Sequence, residues 1–210
     1  MKIKICGFRE KNNLNAIEVL KPDFIGFIFY DLSKRFVGFE NEVLSFQSNE
    51  INKVAVFVNQ PIELVLQIAS KFHFKYLQLH GNESPNYCKT LKEKGFIIIK
   101  AFGVDQHFLF SAIEKYDQLV DYYLFDTKTA SFGGSGKVFE WKILEQYPSK
   151  KPFFLSGGIG LDNLEEILAF KNDFLFGIDV NSKMEVNPGV KNIEKCKQLI
   201  ETIRTATNKM

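Results

Sequence analysis

The sequence predicts an α/β fold, a single (βα)8 TIM barrel over residues 1–210, and three observations support this prediction. Short apolar runs typical of strands alternate with helical patterns along the whole chain. Eight such units follow one another, with strand starts roughly 21 to 31 residues apart. No linker or break in composition divides them. A doubly wound open sheet would show the same alternation, but eight regular units in so short a chain favour a closed barrel.

Strands one to four are short apolar segments that end at glycine or polar residues. They are predicted at residues 2–6, 24–29, 54–58 and 74–79. The second is continuously apolar, as expected for a strand that is buried on both faces. A polar loop, residues 30–38, follows it. Helical spacing of Leu14, Ile17 and Leu20 marks the helix after strand one, and Pro61 takes the favoured first position of the helix after strand three.

Strands five to eight continue the same rhythm. They are predicted at residues 96–101, 122–126, 153–155 and 174–176. Ser84 and Pro85 suit the N-cap and first position of the helix before strand five, and Gly95 suits its C-cap. Residues 127–137 form the most glycine-rich loop of the chain. Residues 190–206 have the pattern of the last helix.

Composition and charge exclude several classes of function. The formal net charge is +2 with no long run of one sign, so neither nucleic acid nor an anionic membrane is an expected partner. No apolar stretch approaches the roughly 20 residues that span a bilayer, and the start MKIKICGF is too short and too alternating for a signal peptide. Cys6, Cys88 and Cys196 are odd in number and far apart. This predicts a reducing, cytoplasmic location, without a disulfide framework or a zinc motif.

Residues 153–182 predict an anion site near the end of the barrel. Two apolar runs in this stretch end in segment 156–158, which contains two glycines, and in the polar segment 177–182. Glycines let backbone N–H groups approach a ligand closely, and Asn181 with Ser182 is predicted to cap a short helix whose N-terminus favours phosphate. The loops after strands seven and eight of such barrels bind phosphate. Ordinary tight turns are the alternative, but two such segments in succession favour a phosphate grip.

Polar residues at the carboxyl ends of barrel strands face the active site. Here these candidates are Cys6, Arg35, His80, Asp126, Gly157, Gly158, Asp179, Asn181 and Ser182. The set combines a thiol, a carboxyl group and the phosphate grip, without a metal-ligand cluster. The sequence also lacks a GxSxG elbow, a Walker loop and a GxGxxG fingerprint.

Each candidate side chain has a structural alternative. Cys6 alone would be a buried small hydrophobe and Asp126 a loop cap, but both on one rim favour acid–base chemistry. Arg35 is one of only three arginines, which favours a carboxylate clamp over a solvated charge. His80 is evenly balanced between ligand contact and packing. Asp179 is predicted either to contact sugar hydroxyls or to orient the turn that follows.

Seven motifs follow one another from residue 2 to about residue 200. They are Lys4-Ile5-Cys6-Gly7; Gly26-Phe27-Ile28-Phe29 with Ser33, Arg35 and Val37; Val54-Ala55-Val56-Phe57-Val58; Leu77-Gln78-Leu79-His80-Gly81; Phe125-Asp126-Thr127 before Gly133-Gly134-Ser135-Gly136; Ser156-Gly157-Gly158; and Asp179-Val180-Asn181-Ser182 with Glu185, Pro188-Gly189 and Lys191. In this order and spacing the chain resembles the phosphoribosylanthranilate isomerase family of tryptophan biosynthesis.

The resemblance implies an isomerase without metal or organic cofactor that acts on a small phosphosugar, as a monomer or homodimer. The reaction would be the Amadori rearrangement of N-(5-phosphoribosyl)anthranilate to 1-(2-carboxyphenylamino)-1-deoxyribulose 5-phosphate. Asp126 would be the general acid that opens the ribose ring, Cys6 the base that takes the C2 proton, and Arg35 the anthranilate contact. At neutral pH this requires a protonated Asp126 and some Cys6 thiolate, helped by a nearby positive charge.

Three positions depart from the family pattern. Lys34 replaces a proline, which predicts a more mobile loop; Lys183 replaces a small residue and would add charge to the phosphate grip or crowd it; residues 130–132 would lengthen a lid. Two rival functions remain open. The first is another phosphosugar enzyme on the same barrel, such as indole-3-glycerol-phosphate synthase, which would be expected to carry catalytic Lys and Glu residues at strand ends. Lys100, near the end of strand five, is the one residue that suggests it. The second is a barrel that binds phosphate without turnover.

Overall fold

A computed structural model describes residues 1–127 and 141–207 of the chain. Eight parallel strands close into a barrel in sequence order, with β1 paired to β8. The strands are Lys2–Cys6 (β1), Phe24–Phe29 (β2), Asn52–Phe57 (β3), Tyr76–Leu79 (β4), Ile97–Val104 (β5), Tyr122–Thr127 (β6), Phe153–Leu155 (β7) and Leu175–Val180 (β8). The predicted (βα)8 barrel is therefore confirmed.

Helices and short 3₁₀ segments lie between the strands around the outside of the barrel. The helices are Lys11–Glu18 (α1), Ile62–Lys71 (α2), Pro85–Glu93 (α3), Ser111–Glu114 (α4), Leu164–Ala169 (α5) and Ile193–Thr207 (α6). The 3₁₀ turns are Glu42–Ser45, Trp141–Gln146, Leu161–Asn163 and Ser182–Met184, and Glu185–Asn187 (β9) pairs with Val190–Lys191 (β10) as a hairpin before α6. None of the helices in the described ranges is long and apolar enough to cross a membrane.

The helix that precedes β5 begins as predicted. The Ser84 side chain accepts a hydrogen bond from the Tyr87 backbone N–H, and Pro85 follows in the first helical turn. Gly95, just after the helix, has a φ of +88°, the left-handed conformation that glycine adopts without steric cost. These local signals are strong because each satisfies a backbone group at a helix end.

The structure corrects two predicted boundaries near the carboxyl end of the chain. The predicted strand eight ends at residue 176 and leaves 177–182 as a turn, whereas β8 continues to Val180. It continues because Asp179, although charged, is buried inside the barrel with a basic partner. The predicted last helix begins at residue 190, but residues 190 and 191 pair with β9 and the helix begins at Ile193.

The connection from β2 to β3 also departs from the expected strand–helix unit. It contains the 3₁₀ turn Glu42–Ser45 and no α-helix. Val43 and Leu44 are the buried residues of that turn, and polar residues follow soon afterwards. The apolar stripe is therefore too short to support an α-helix. Residues 128–137 of the glycine-rich loop, with the lid predicted at 130–132, lie outside the described residues.

The barrel interior is filled with aromatic rings at the amino ends of its strands. Their centroids are 4.8 to 6.2 Å apart, mostly in edge-to-face contact, and the rings belong to Phe24, Tyr76, Tyr122, Phe154 and Phe176. Small aliphatic side chains, including Val54, Val56 and Ala101, continue this core. The aromatic layer closes one end of the barrel, so a ligand must enter at the carboxyl ends of the strands.

Candidate active site

The carboxyl ends of the strands surround a pocket that collects nearly all of the predicted site residues. Its lining includes Cys6, His80, Asp126, Gly157, Gly158, Asp179, Asn181 and Ser182, together with Gln78. These residues come from five parts of the chain that only the closed barrel brings together. Arg35 is the one predicted residue that is not part of this lining.

Cys6 ends β1 on one side of the pocket and is 3% exposed. Two positions earlier on the same strand, Lys4 is fully buried, and its Nζ donates to Asp179 Oδ1 at 2.8 Å. The register of β1 against β8 places Lys4 directly beside Asp179. Lys4 Nζ and Cys6 Sγ also face the same space beside Gly26, so the ammonium charge acts on the thiol. One ammonium group therefore pairs with a carboxylate and acts by its charge on the candidate base.

Gly26 on β2 makes this arrangement possible. It is the register partner of Cys6, and a β-carbon at this position would lie 2.5 Å from Cys6 Sγ and 3.1 Å from Lys4 Nζ. The first distance is too short for any side chain. The thiol and the ammonium thus occupy space that only a glycine leaves free.

Burial and the neighbouring lysines act on the pKa of Cys6 in opposite directions. Burial raises the pKa of the Cys6 thiol, the charges of Lys4 and Lys191 lower it, and the net direction is upward. The expected positive charge is present, but the thiol is still favoured over the thiolate. Burial lowers the pKa of Lys4, yet Asp179 and Cys6 raise it and prevail, so Lys4 stays an ammonium.

Burial also raises the pKa of Asp179, against the charge of Lys4. A raised pKa for Asp179 favours a neutral acid, whereas a raised pKa for Lys4 favours the charged pair. The 2.8 Å contact between Lys4 Nζ and Asp179 Oδ1 decides in favour of the ion pair, because charge-assisted hydrogen bonds have this length.

Asp126 lies across the pocket near the end of β6. Its Oδ1 accepts from the Thr127 backbone N–H at 2.8 Å, and its Oδ2 lies 3.3 Å from His80 Nε2. Asp126 therefore makes the loop contact foreseen as its structural alternative, while its second oxygen faces a pocket side chain. His80 accordingly contacts Asp126 instead of packing passively at the strand end.

Gln78 is a pocket residue to which the sequence analysis gives no role beyond its motif. Its Nε2 lies 2.7 Å from His80 Nδ1, so Gln78 orients the ring whose Nε2 faces Asp126. Its Oε1 is buried and has no hydrogen-bond partner among residues 1–127 and 141–207. A buried polar atom that lines a pocket without a partner is available to a ligand.

The predicted glycine turn lies directly against Asp126. Gly157 and Gly158 have φ values of +91° and +63°, in the left-handed region. A β-carbon on Gly157 would lie 2.3 Å from Thr127 Oγ1 and 2.8 Å from Asp126 Oδ1. Both conformation and space therefore require glycine at this position, and the turn presents its backbone to the pocket.

The turn after β8 is used differently from the prediction. The 3₁₀ turn Ser182–Met184 does follow Asn181, but the Asn181 side chain makes no capping bond. Its Oδ1 accepts from Lys191 Nζ at 2.8 Å, which ties the turn to the β9–β10 hairpin. Lys183 forms an ion pair with Asp162, so its charge is neutralised by that partner.

Arg35 is buried in an ion pair and is not a solvated charge. Its Nε and Nη2 donate to the Glu185 carboxylate at 2.6 to 3.0 Å, and Glu185 also accepts from Lys191. Burial alone would raise the pKa of Glu185, but Arg35 and Lys191 lower it further than burial raises it. Arg35 also packs over Gly7, where a β-carbon would lie 2.9 Å from its Cδ.

A closed eight-stranded barrel whose pocket holds a thiol, a carboxylate and a glycine turn at the strand ends defines a (βα)8-barrel enzyme. The family model described as N-(5'phosphoribosyl)anthranilate (PRA) isomerase matches residues 3–202. The chain belongs to this family.

Relatives and solved structures agree with this assignment. The N-(5'-phosphoribosyl)anthranilate isomerase of Parabacteroides distasonis is 45% identical over 206 residues, which cover 97% of this chain and 93% of that protein. The crystal structure of the phosphoribosyl anthranilate isomerase of Thermotoga maritima matches with a TM-score of 0.86 and 30% identity, covering 98% and 99% of the two chains. An isomerase structure in complex with reduced 1-(o-carboxyphenylamino)-1-deoxyribulose 5-phosphate matches with a TM-score of 0.83, 27% identity and the same coverage.

Proposed function

We propose that the chain is a phosphoribosylanthranilate isomerase that acts in tryptophan biosynthesis. It converts N-(5-phosphoribosyl)anthranilate to 1-(2-carboxyphenylamino)-1-deoxyribulose 5-phosphate by an Amadori rearrangement. The observation that carries this proposal is the placement of Cys6 and Asp126 at strand ends of one pocket, beside the glycine turn. The family match and the product analogue bound by a structural neighbour support the same reaction.

In the proposed mechanism Asp126 and Cys6 act in succession. Asp126 gives a proton to the ribose ring oxygen, and the ring opens to an iminium ion. Cys6 then takes the C2 proton, and the electrons of that bond form the double bond of an enolamine, which tautomerises to the ketone. Asp126 Oδ2 and Cys6 both reach the pocket, so each group can meet the substrate from its own strand end.

The remaining pocket residues have proposed binding roles. The backbone of Gly157 and Gly158, with Asn181 and Ser182, would hold the phosphate, because left-handed glycines present backbone N–H groups without a side chain. Asp179, His80 and the unpaired Oε1 of Gln78 would meet the sugar hydroxyls. Arg35 as a contact of the anthranilate carboxylate remains a prediction, and it requires the guanidinium to serve both Glu185 and the ligand.

The geometry of Lys100 disfavours the rival synthase. On β5 its neighbours Ile99 and Ala101 pack inside the barrel, so Lys100 points outward, away from the pocket. Its Nζ is surrounded by four acceptors at 2.7 to 3.1 Å. A catalytic lysine would need an amine that reaches the substrate.

We further propose that residues 1–210 act as one domain, as a monomer or homodimer in the cytoplasm, with a small phosphosugar as the substrate. All three cysteines are free and buried, which is compatible with a reducing compartment. The product analogue in a structural neighbour is itself a phosphosugar derivative.

The deciding test is turnover of freshly prepared phosphoribosylanthranilate, followed by loss of anthranilate-type fluorescence. We expect activity in the wild type and a loss of roughly 10²–10⁴-fold in each of Cys6→Ser and Asp126→Asn, because each removes one proton-transfer group. Cys88→Ala, which alters a buried thiol outside the pocket lining, is the matched control and should retain turnover. A folded wild type that binds phosphate but does not turn over the substrate would favour the rival function, a barrel that binds phosphate without catalysis.

A further inference from the structure

Lys4 takes no part in the proposed proton transfers, yet it lies two positions before the proposed base on the same face of β1. It is fully buried in the middle of β1, and its side chain points into the barrel, where Asp179 accepts its hydrogen bond at 2.8 Å. A buried ammonium is costly unless it is paired, and Asp179 supplies that partner. The Cys6 thiol lies beside the same ammonium, because both face the space left free by Gly26. Lys4 does not line the pocket itself, so it can act on the substrate only through its neighbours.

We propose that Lys4 is a positioning residue for the Cys6 base: its buried ammonium stabilises the thiolate that Cys6 must form, and Asp179 holds that ammonium in place. This inference rests on the proposed function for its catalytic meaning. Its electrostatic content, that Lys4 controls the ionisation of Cys6, concerns the free protein and does not depend on any substrate.

The charges around Cys6 determine in which direction each substitution should shift the pKa of its thiol. Five charged or ionisable groups act on Cys6 or share its pocket, namely Lys4 on β1, Asp179 on β8, Lys191 on β10, Asp126 on β6 and His80 after β4, and the Tyr30 phenol also belongs to the lining. Burial raises the pKa of the thiol most strongly, Lys4 is the largest opposing influence, and Asp179 adds to the increase. Removal of Lys4 should therefore suppress the thiolate, and neutralisation of Asp179 should promote it.

In the reaction, the thiolate removes the proton from C2 and becomes a thiol, while the C–H electrons neutralise the iminium as the enolamine forms. The negative charge on sulfur disappears in this step. Lys4 thus stabilises the reactive form of the base before the step, and Asp179 keeps the ammonium from binding sulfur so tightly that the thiolate loses its basicity. A shared ammonium serves both needs.

The test measures alkylation of Cys6 by iodoacetamide as a function of pH, without substrate, with the labelled cysteine identified by mass spectrometry. Only the thiolate reacts, so the rate reports the ionised fraction. In Lys4→Met we expect the midpoint of the pH profile to move upward and the rate near neutral pH to fall by at least about tenfold, because an opposite charge at this range shifts a pKa by about 1–3 units. In Asp179→Asn the midpoint should move downward.

Three comparisons keep the test decisive. Lys53→Met removes another buried lysine, which donates to the Phe72 carbonyl on the outer side of β3, and should leave the profile unchanged. Lys4→Arg keeps the charge and should restore part of the rate. Cys88 and Cys196 serve as internal standards, since burial raises the pKa of each thiol to about 11.

The outcomes separate this inference from the proposed function. A profile that is unchanged in Lys4→Met, or that moves in the same direction in Asp179→Asn, would overturn the inference. If Lys4→Met does not fold, Lys4→Gln, which removes the same charge but keeps a polar side chain, should show the same upward shift, and an unchanged profile in it would overturn the inference. In turnover, Lys4→Met should lower kcat with little change in KM and displace the pH profile of kcat. A shifted alkylation profile in a protein that never turns over the substrate would overturn the isomerase function alone.

Discussion

Two buried lysine–carboxylate pairs on the same barrel differ in which face of the sheet they occupy. Lys4 and Asp179 point into the barrel beneath the pocket, at 0% and 6% side-chain exposure. Lys100 and Glu83 lie on the outer side of β5, at 2% and 1% exposure. By burial alone the two pairs are nearly alike, so their different roles must come from the partners that surround them.

The outer pair is fully occupied by the backbone. Lys100 Nζ has three carbonyl acceptors besides Glu83, namely those of Leu79, Gly81 and Ala101. Glu83 in turn accepts from the backbone N–H groups of Asn59 and Gly81. An ammonium has three N–H donors, so four acceptors leave none for a ligand. This pair ties together the loops that follow β3 and β4.

The inner pair is occupied by groups that belong to the pocket. Asp179 lines the pocket, and Cys6, whose thiol lies beside Lys4, is the proposed base. The contrast teaches that a buried charge does not indicate function by its burial. What matters is whether its hydrogen bonds end on the backbone, which makes it a structural tie, or on a side chain whose ionisation the reaction uses.

The largest effect that tests this contrast is expected in Lys100→Met. The change leaves Glu83 as an uncompensated buried carboxylate, which should lower the free energy of unfolding by about 3–5 kcal/mol. Urea denaturation followed by circular dichroism measures the loss. The Cys6 alkylation profile of the folded variant should equal that of the wild type. A shift in this profile would show that the two pairs are electrostatically coupled, and the contrast would fail.

A double variant provides the control for this loss. Lys100→Met combined with Glu83→Gln removes both charges, while the amide oxygen of the new residue can still accept from the Gly81 backbone. We expect the double variant to recover part of the stability that the single variant loses, because no buried charge remains unpaired. A double variant as unstable as the single one would assign the loss to packing and not to the carboxylate.

An intermediate effect is expected from a pair of glycine substitutions. A β-carbon at Gly81 would lie 2.4 Å from Asn59 Oδ1 and 2.8 Å from the Asn59 backbone nitrogen, which has little freedom to move. Gly81→Ala should therefore destabilise the fold by about 1–3 kcal/mol and leave Cys6 chemistry unchanged. At Gly26 the new β-carbon meets the side-chain ends of Cys6 and Lys4. Gly26→Ala should thus disturb turnover and Cys6 alkylation with a smaller loss of stability.

Urea denaturation and the alkylation profile, measured on both variants, distinguish the two regions. The contrast between them predicts that stability falls further in Gly81→Ala and that the alkylation profile moves only in Gly26→Ala. The reverse pattern would mean that the inner pair is the structural tie. Equal effects on alkylation would mean that strain spreads through the barrel and that neither region is independent.

The barrel itself could be predicted from the sequence because its signals are local. Apolar runs, the capped start of α3 and the glycines at 157 and 158 each act within a few residues. The glycine turn lies in the pocket lining, where its conformation and its contact with Asp126 both exclude a side chain. The helix expected between β2 and β3 does not form, and the reason is also local: the apolar stripe of that segment is only one turn long.

The charged partners could not be predicted because they meet only when the barrel closes. Lys4 and Asp179 are 175 positions apart in sequence, and Arg35 and Glu185 are 150 apart. As long as its partner Lys4 is unknown, the charge of Asp179 predicts a turn, although the residue is buried within β8. One signal for Lys4 was available: a lysine in the middle of an apolar strand, on the same face as Cys6, must be buried with a counter-charge.

The smallest effect is expected at an exposed lysine–carboxylate pair, Lys183 with Asp162, whose side chains are 26% and 66% exposed. The hydrogen bond from Lys183 lowers the pKa of Asp162, so any stabilisation is present above the ordinary pKa of an aspartate and is lost as pH falls through the lowered value. Because solvent screens the pair, Asp162→Asn should change the free energy of unfolding by about 0–1 kcal/mol, and less at high salt. Urea denaturation at neutral and acidic pH, in low and high salt, measures this. A loss as large as that in Lys100→Met would mean that exposure does not separate weak from strong pairs in this barrel, and the partners of each lysine would no longer explain their difference.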